Sequence, residues 1–192
     1  MMITTGSPIG INARLLLQPI KVSDQKKLSS LMMDIYRPVY QHLWFDDGSY
    51  YVDSQFNTEN LTLELAVSNA PYYFIIFEEA PIGILRFINH LSTPTGSIEP
   101  SVKLHRIYLA PSAHGKGVGK KVIQWLSQEA HKNKQQYIWL ECMDTRLSAY
   151  NFYKHLGFKL FEQFTLDSPK MRREYRGMLR MKLEVNGNLQ GC

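Results

Sequence analysis

Apolar and polar residues are arranged in blocks whose period changes along the chain, and the changes mark its elements. Ile11 to Ile20 reads as a first strand closing near Pro19. Ser23-Asp24-Gln25-Lys26 supplies a helix start, and Leu28, Leu31, Met32 and Ile35 follow at helical spacing. Tyr36 to Tyr51 is rich in aromatic residues, and Pro38 argues against an uninterrupted helix, so a helical segment followed by a loop is expected there. Thr58-Glu59-Asn60 opens a further helix with Leu61, Leu63, Leu65 and Ala66 as its apolar set. Tyr72 to Phe77 and Ile82 to Ile88 are apolar runs of strand length, joined as a hairpin by Glu78-Glu79-Ala80-Pro81.

Leu91 to Pro100 carries Ser, Thr, Pro and Gly and reads as a loop before a strand at Val102 to Leu109. Helical spacing returns at Val118, Val122, Ile123, Leu126 and Ala130 and ends at Asn133-Lys134. Gln136 to Cys142 is a strand-like run, Ala149 to Phe158 lies in a helical stretch, and Phe158 to Phe164 and Gly177 to Val185 are two further strands. The sum is an α/β (α+β) chain: a mixed, mostly antiparallel twisted sheet of about seven strands flanked by about four helices.

Composition narrows this picture. A chain of 192 residues, 44% hydrophobic, is long enough for one well-buried core, so a single domain over 1–192 is expected, with its core at 11–185 and loose ends at 1–10 and 186–192. No apolar run approaches the ~20 residues that span a bilayer, and the N-terminus lacks a charged region followed by an apolar one, so no membrane partner is expected. Cys142 and Cys192 are far apart, which implies neither a disulfide framework nor a metal cluster and fits a reducing cytoplasm. The six histidines show no metal-ligand spacing.

The net charge of +5 is concentrated in two places. Lys170, Arg172, Arg173, Arg176, Arg180 and Lys182 lie near the end, interrupted by Glu174 and without any nucleic-acid motif, so a solvated strand-flanking face is expected rather than a nucleic-acid site. Lys116, Lys120 and Lys121 fall instead in His114-Gly115-Lys116-Gly117-Val118-Gly119-Lys120-Lys121, between a strand and a helix. That order aims the helix's first N–H groups into a glycine-dense turn, which makes an anion cradle suited to a diphosphate. A P-loop is excluded: three residues rather than four separate Gly115 from Gly119-Lys120, and Lys121 stands where Ser or Thr is needed. A dinucleotide fingerprint needs glycine at Lys120. The pattern that survives is Q/R-x-x-G-x-G/A, met by His114-Gly115-Lys116-Gly117-Val118-Gly119 with one departure, His114 at its first position.

With this turn, and with Ala149-Tyr150-Asn151-Phe152-Tyr153-Lys154-His155-Leu156-Gly157-Phe158 matching A-x-x-F-Y-x-x-x-G-F downstream, the chain resembles the GNAT acyl-CoA N-acetyltransferases. The resemblance covers Tyr72 to Phe158 and implies acetyl-CoA as cosubstrate without a metal. It implies that backbone groups of Ile107, Tyr108 and Leu109 hold the pantetheine arm and that Gly115, Lys116, Gly117, Val118, Gly119 and Lys120 surround the diphosphate. His114 replaces the usual Gln or Arg, and Arg146 stands where the family often has an asparagine that touches the cofactor. Tyr153 matches the tyrosine that protonates the departing thiolate.

Three residues are candidates for the base. Glu141 matches the strand-end glutamate of N-terminal-amine acetyltransferases. His105 has an imidazole whose ordinary pKa near 6.5 suits the task. Glu99 is the third, and water is a further route. The resemblance implies a primary amine as acceptor, either a small amine or polyamine or a peptide N-terminus or lysine, and a monomer or homodimer is expected. The aromatic segment Tyr36 to Tyr51 is open to two readings, an alkylammonium site or hydrophobic packing. A non-catalytic CoA-sensing module and a nucleic-acid-associated protein are the competing readings.

Overall fold

The computed structural model describes residues 6–93 and 100–185. Among them are eight strands in the order β1-β2-β3-β4-β5-β6-β8-β7 and five α-helices. The strands are β1 Ile9–Asn12, β2 Leu15–Pro19, β3 Tyr72–Phe77, β4 Ala80–Ile88, β5 Ser101–Leu109, β6 Tyr137–Met143, β7 Lys159–Thr165 and β8 Gly177–Glu184. The helices are α1 Gln25–Tyr40, α2 Ser49–Gln55, α3 Thr58–Leu65, α4 Val118–Lys132 and α5 Leu147–His155. The chain forms two compact units, one from 6–87 and 106–119, the other from 88–93, 100–105 and 120–185. Glu99, Cys192 and the tail from Asn186 lie outside the described residues.

In the first unit the expected opening strand is a hairpin. Asn12 Oδ1 accepts the Arg14 N–H at 2.9 Å, a side-chain-closed turn that reverses the chain so that Ile9 pairs with Leu17. Strands β2, β3 and β4 continue as an antiparallel meander, and every residue of β3 is buried. The turn to β4 is tighter than expected, with Glu78 and Glu79 both at positive φ (50° and 65°). That leaves Ala80 free to begin β4.

Helix α1 runs through Pro38 to Tyr40, contrary to the expected break. The proline occupies the last turn, where its missing N–H and its ring affect little beyond the carbonyl of exposed Asp34. Asn57 caps α3 by accepting the Asn60 N–H at 2.8 Å. The expected apolar set of α3 is corrected: Leu61 is buried, Leu63 is 63% exposed, and Glu64 takes the inward position one turn after Leu61.

Gly83 fixes the approach of β4 to the end of β5. A Cβ there would stand 2.2 Å from the Tyr108 carbonyl oxygen and 2.8 Å from Leu109 Cδ2, and the Ala110 N–H donates to Ile82 O at 2.8 Å beside it. Backbone cannot yield as a side chain would. Gly83→Ala is therefore expected to lower the unfolding free energy by about 2 kcal/mol, as read by urea denaturation; an unchanged midpoint would show that the strands separate at no cost.

In the second unit β5 and β6 are parallel, with pairs from Ser101↔Tyr137 to Leu104↔Leu140. Those pairs stop there, although β5 continues to Leu109 and β6 to Met143. Strand β8 lies antiparallel to β6, and β7 lies antiparallel to β8. Trp139, Ile138 and Leu140 are buried along β6, and α4 contributes Val122, Ile123, Leu126 and Ala130 to the core. Among the described residues no helix is long and apolar enough to cross a membrane.

Candidate active site

The glycine turn belongs to the first unit. After β5, the chain makes a single 3-10 turn at Pro111–Ala113, with Ala113 buried and the His114 N–H donating to Pro111 O at 3.0 Å. His114 is exposed and extended (φ −64°, ψ 142°). Gly115 and Gly117 follow with φ of 74° and 71°, and Lys116 lies between them with its Nζ 5.7 Å from the Phe77 ring centroid. Added Cβ atoms on either glycine meet nothing within 4 Å, so both backbones face open space. Val118, 1% exposed, anchors the start of α4, and Gly119 and Lys120 are half-buried in its first turn.

An α-helix leaves its first N–H groups without intrahelical acceptors. Here two exposed, left-handed glycines precede them, so the local backbone suits an anion that approaches closely. These residues fit the diphosphate of an acyl-CoA.

Ile107 and Leu109 on β5 are half-buried, and Tyr108 points the opposite way, towards α1 and α2. Its phenol lies 3.2 Å from the Tyr51 hydroxyl, and its ring meets Tyr36 and Tyr40 edge-on at 5.6 and 5.9 Å. Burial, together with the Tyr51, Tyr36 and Tyr40 phenols, holds Tyr108 protonated well above pH 10.0.

The aromatic segment is largely stacked upon itself. Tyr36 lies between Tyr40 at 4.6 Å and Tyr51 at 4.5 Å, and its hydroxyl accepts the Trp44 indole N–H at 3.0 Å. Both faces of Tyr36 are therefore covered, and only Phe45 (65%) and Tyr50 (50%) present large exposed rings. Asp46 is engaged in accepting the Gly48 and Tyr50 N–H groups at the start of α2.

One feature of this unit was invisible in the sequence. Arg106, one residue before Ile107, is buried and places Nη1 2.7 Å from both oxygens of Glu64, while its Nη2 donates to Gln55 Oε1 at 2.7 Å. Arg86 lies 3.7 Å from the same carboxylate. Arg106 lies 42 positions from Glu64 and 51 from Gln55, so spacing gave no sign of their pairing. The signal in the sequence was a glutamate three residues after Leu61, on the buried side of a short helix.

The second unit holds the other candidates. Glu141 on β6 accepts from Lys103 Nζ on β5 at 2.8 Å and from Arg180 Nε on β8 at 2.9 Å, and Arg180 Nη1 reaches Glu162 on β7 at 2.7 Å. Four charges of alternating sign thus cross four strands. Burial alone raises the Glu141 pKa, but hydrogen bonds and charge from Lys103 and Arg180 outweigh it and hold the carboxyl below its ordinary 4.5. Its ion pairs therefore contribute stability above that range and lose it as pH falls through the lower folded value.

Glu141→Gln is expected to be less stable than the parent by about 1 kcal/mol at pH 7 and to lose less on acidification from pH 5 to 3. Urea unfolding across that range measures both; identical acid limbs would remove Glu141 from the stability balance.

His105 is half-buried on β5, two residues beyond Lys103 and so on the same side of the strand. Arg146 stands at the N-cap of α5 without a side-chain cap, and Tyr153, 9% exposed, lies in the middle of that helix. The Tyr153 ring meets Phe152 at 5.2 Å and Phe158 at 5.5 Å, both edge-on, so neighbours fix its direction. Cys142 is buried, and burial first, then Asp144, pushes its thiol up to about 11, which makes it a poor nucleophile. No group of three His, Cys, Asp or Glu residues suited to a metal ion is present among the described residues.

Comparison with known proteins bears on this geometry. The chain is 30% identical over 61 residues to an uncharacterized N-acetyltransferase, YesJ, of Bacillus subtilis (strain 168), a match that covers 32% of this chain and 34% of YesJ. The match thus spans about a third of that relative's length.

Solved structures share the fold. A ribosomal alpha-N-protein acetyltransferase in complex with coenzyme A superposes with a TM-score of 0.68 at 14% identity, covering 95% of this chain and all of the other. A spermidine N-acetyltransferase from Vibrio cholerae gives 0.64 at 18%, covering 93% and 98%. A microcin self-immunity acetyltransferase in complex with acetyl-CoA and AMP gives 0.69 at 14%, covering 94% and 98%. Residues 29–158 match the family described as acetyltransferase (GNAT), from within α1 to the end of the aromatic signature after α5. Over that span the chain belongs to the GNAT acetyltransferase family.

Proposed function

We propose that this protein transfers an acetyl group from acetyl-CoA to a primary amine. The observation that carries the reading is the turn itself: two exposed glycines at φ 74° and 71°, with open space at each Cβ, directly before the first turn of a 15-residue helix. The coenzyme A and acetyl-CoA complexes of proteins with the same fold support it.

In this proposal Gly115 to Lys120 surround the diphosphate, with the first N–H groups of α4 aimed at it, and Lys116 and Lys120 add positive charge. Ile107, Tyr108 and Leu109 offer main-chain groups beyond the last β5–β6 pair to the pantetheine arm. Arg146, at the start of α5, supplies a further cation for a phosphate. Bound acetyl-CoA supplies an activated thioester carbonyl.

The chain's own residues then move protons. Tyr153 donates its phenolic proton to the departing sulfur, since a phenol is acidic enough to neutralise a forming thiolate yet stays protonated at neutral pH. The incoming ammonium must lose a proton before it attacks. Both Glu141 oxygens are held by cations, Lys103 and Arg180, which lowers their basicity, so His105 or water accepts that proton.

A thiol-release assay with acetyl-CoA and a panel of small amines, polyamines and peptides tests the reading. Amine-dependent thiol release supports it. CoA binding without release for any amine would leave a sensing module, and absence of CoA binding would remove the cradle.

A further inference from the structure

The last β5–β6 pair is Leu104↔Leu140, and β5 continues from there to Leu109. Over residues 106–109 the strand is steered by β4, through the Ala110 N–H to Ile82 O bond at 2.8 Å, and by what its own side chains grip. Side chains alternate along a strand, so Arg106 and Tyr108 share one face while Ile107 and Leu109 share the other.

The Arg106–Tyr108 face is gripped by two helices of the same unit. On α2, Tyr51 and Gln55 stand one turn apart. The Tyr51 hydroxyl lies 3.2 Å from that of Tyr108, and Gln55 Oε1 accepts from Arg106 Nη2 at 2.7 Å. On α3, both oxygens of Glu64 accept from Arg106 Nη1 at 2.7 Å. The guanidinium also lies 5.4 Å from the ring centroid of Phe56, just after α2. Gln55, Phe56 and Glu64 together fix it in one orientation.

Stability does not explain this choice of residues. Replacing a buried ion pair by apolar side chains of similar volume is often neutral or stabilising, because both charges must leave water. Neutralising Glu64 does not explain it either, since Arg86 already stands 3.7 Å from that carboxylate. What a guanidinium adds is direction: its planar fork meets acceptors at set angles, as an apolar side chain cannot. Here the fork is 6% exposed and belongs to the residue directly before Ile107.

Resting on the proposed acyl-CoA site, we infer that Arg106 is a positioning residue for the pantetheine arm. Gripped by Glu64 and Gln55, it sets the direction of the β5 end, and with it the main-chain groups of Ile107, Tyr108 and Leu109. In this role it acts through backbone geometry, not by contact with the cofactor. The glycine turn is shaped separately, by the Ala113 N–H to Ala110 O bond at 2.9 Å and the His114 N–H to Pro111 O bond at 3.0 Å. Loss of Arg106 therefore affects the arm and spares the diphosphate.

The test compares two ligands by calorimetric titration of the full-length protein. One is coenzyme A, and the other is 3′-phosphoadenosine 5′-diphosphate, which is coenzyme A without its pantetheine arm. Arg106→Met removes the fork and leaves Glu64 beside Arg86, whereas Arg106→Lys keeps the charge and loses the fork. Thermal melts show whether each is folded, and the lysine variant carries the comparison if the methionine variant is not.

Arg106→Met is expected to bind coenzyme A about tenfold more weakly than the parent and the nucleotide fragment within about twofold of it, with Arg106→Lys in between. A purely structural role lowers both affinities together or neither. Equal coenzyme A affinity in parent and folded variants, or parallel losses for the two ligands, would overturn the inference and leave the acyl-CoA site standing. A parent that binds neither ligand would overturn the site and the inference together, which the parent's own titration distinguishes from the other outcomes.

Discussion

Gly117→Asp is expected to weaken CoA binding by a hundredfold or more while the domain stays folded. Gly117 sits at φ 71° with open space where a Cβ would be, so the new side chain meets no neighbour. Aspartate tolerates the left-handed region better than most residues, and the folding cost is about 1 kcal/mol. The effect on binding is of another kind. A carboxylate is placed where two phosphates approach, at the end of a helix that otherwise favours negative charge, and the added atoms keep the phosphates off the backbone. Calorimetric titration with CoA, beside a thermal melt, separates the two. Gly117→Ala, which adds bulk without charge, is expected to fall between parent and aspartate variant. Undiminished affinity in folded Gly117→Asp would remove the turn from the binding site.

Tyr153→Phe is expected to lower turnover on the order of 100-fold and to leave acetyl-CoA affinity within about twofold. The ring is buried between Phe152 and Phe158, both of which meet it through its edges and faces, so phenylalanine fills the same volume. What is lost is the hydroxyl, and with it the proton that the proposed mechanism gives to the departing sulfur. Loss confined to turnover assigns the hydroxyl to chemistry, whereas loss of affinity alone assigns it to binding. Equal rates in parent and variant would leave Tyr153 as a packing residue. The thiol-release rate at saturating acetyl-CoA, with direct titration of each protein, gives both quantities.

The charged ladder through Lys103, Glu141, Arg180 and Glu162 shows why part of the site is not legible in a sequence. The glutamate is visible at the end of a strand, and a base is a reasonable expectation for such a residue. Its chemistry depends on two cations 38 and 39 residues away, brought to 2.8 and 2.9 Å by strand register. No local pattern encodes that register. The same holds for Glu64, whose pairing with Arg106 and Arg86 gives a charged residue a place on the buried face of α3. Among the basic residues near the C-terminus, spacing does not single out Arg180, which two carboxylates enclose.

Local features were legible where the physical cause is local. Apolar runs located β3 and β5, and helical spacing located α4, to within a residue or two, because burial requires them. The glycines at 115 and 117 announced their turn because positive φ is costly to other residues. Two errors were local too: the Asn12-centred reversal was absorbed into one strand, and Pro38 was given the effect it has in the middle of a helix rather than in its last turn. The sequence by itself determined the order of elements, the glycine turn and the aromatic signature that mark the family. Tertiary structure alone decided which rings of Tyr36 to Tyr51 stack, which carboxylates are neutralised and which cations face solvent. Those outcomes depend on pairing between distant segments, and it is the distance and burial of the partner, not the residue type, that fixes the charge state and accessibility of a side chain.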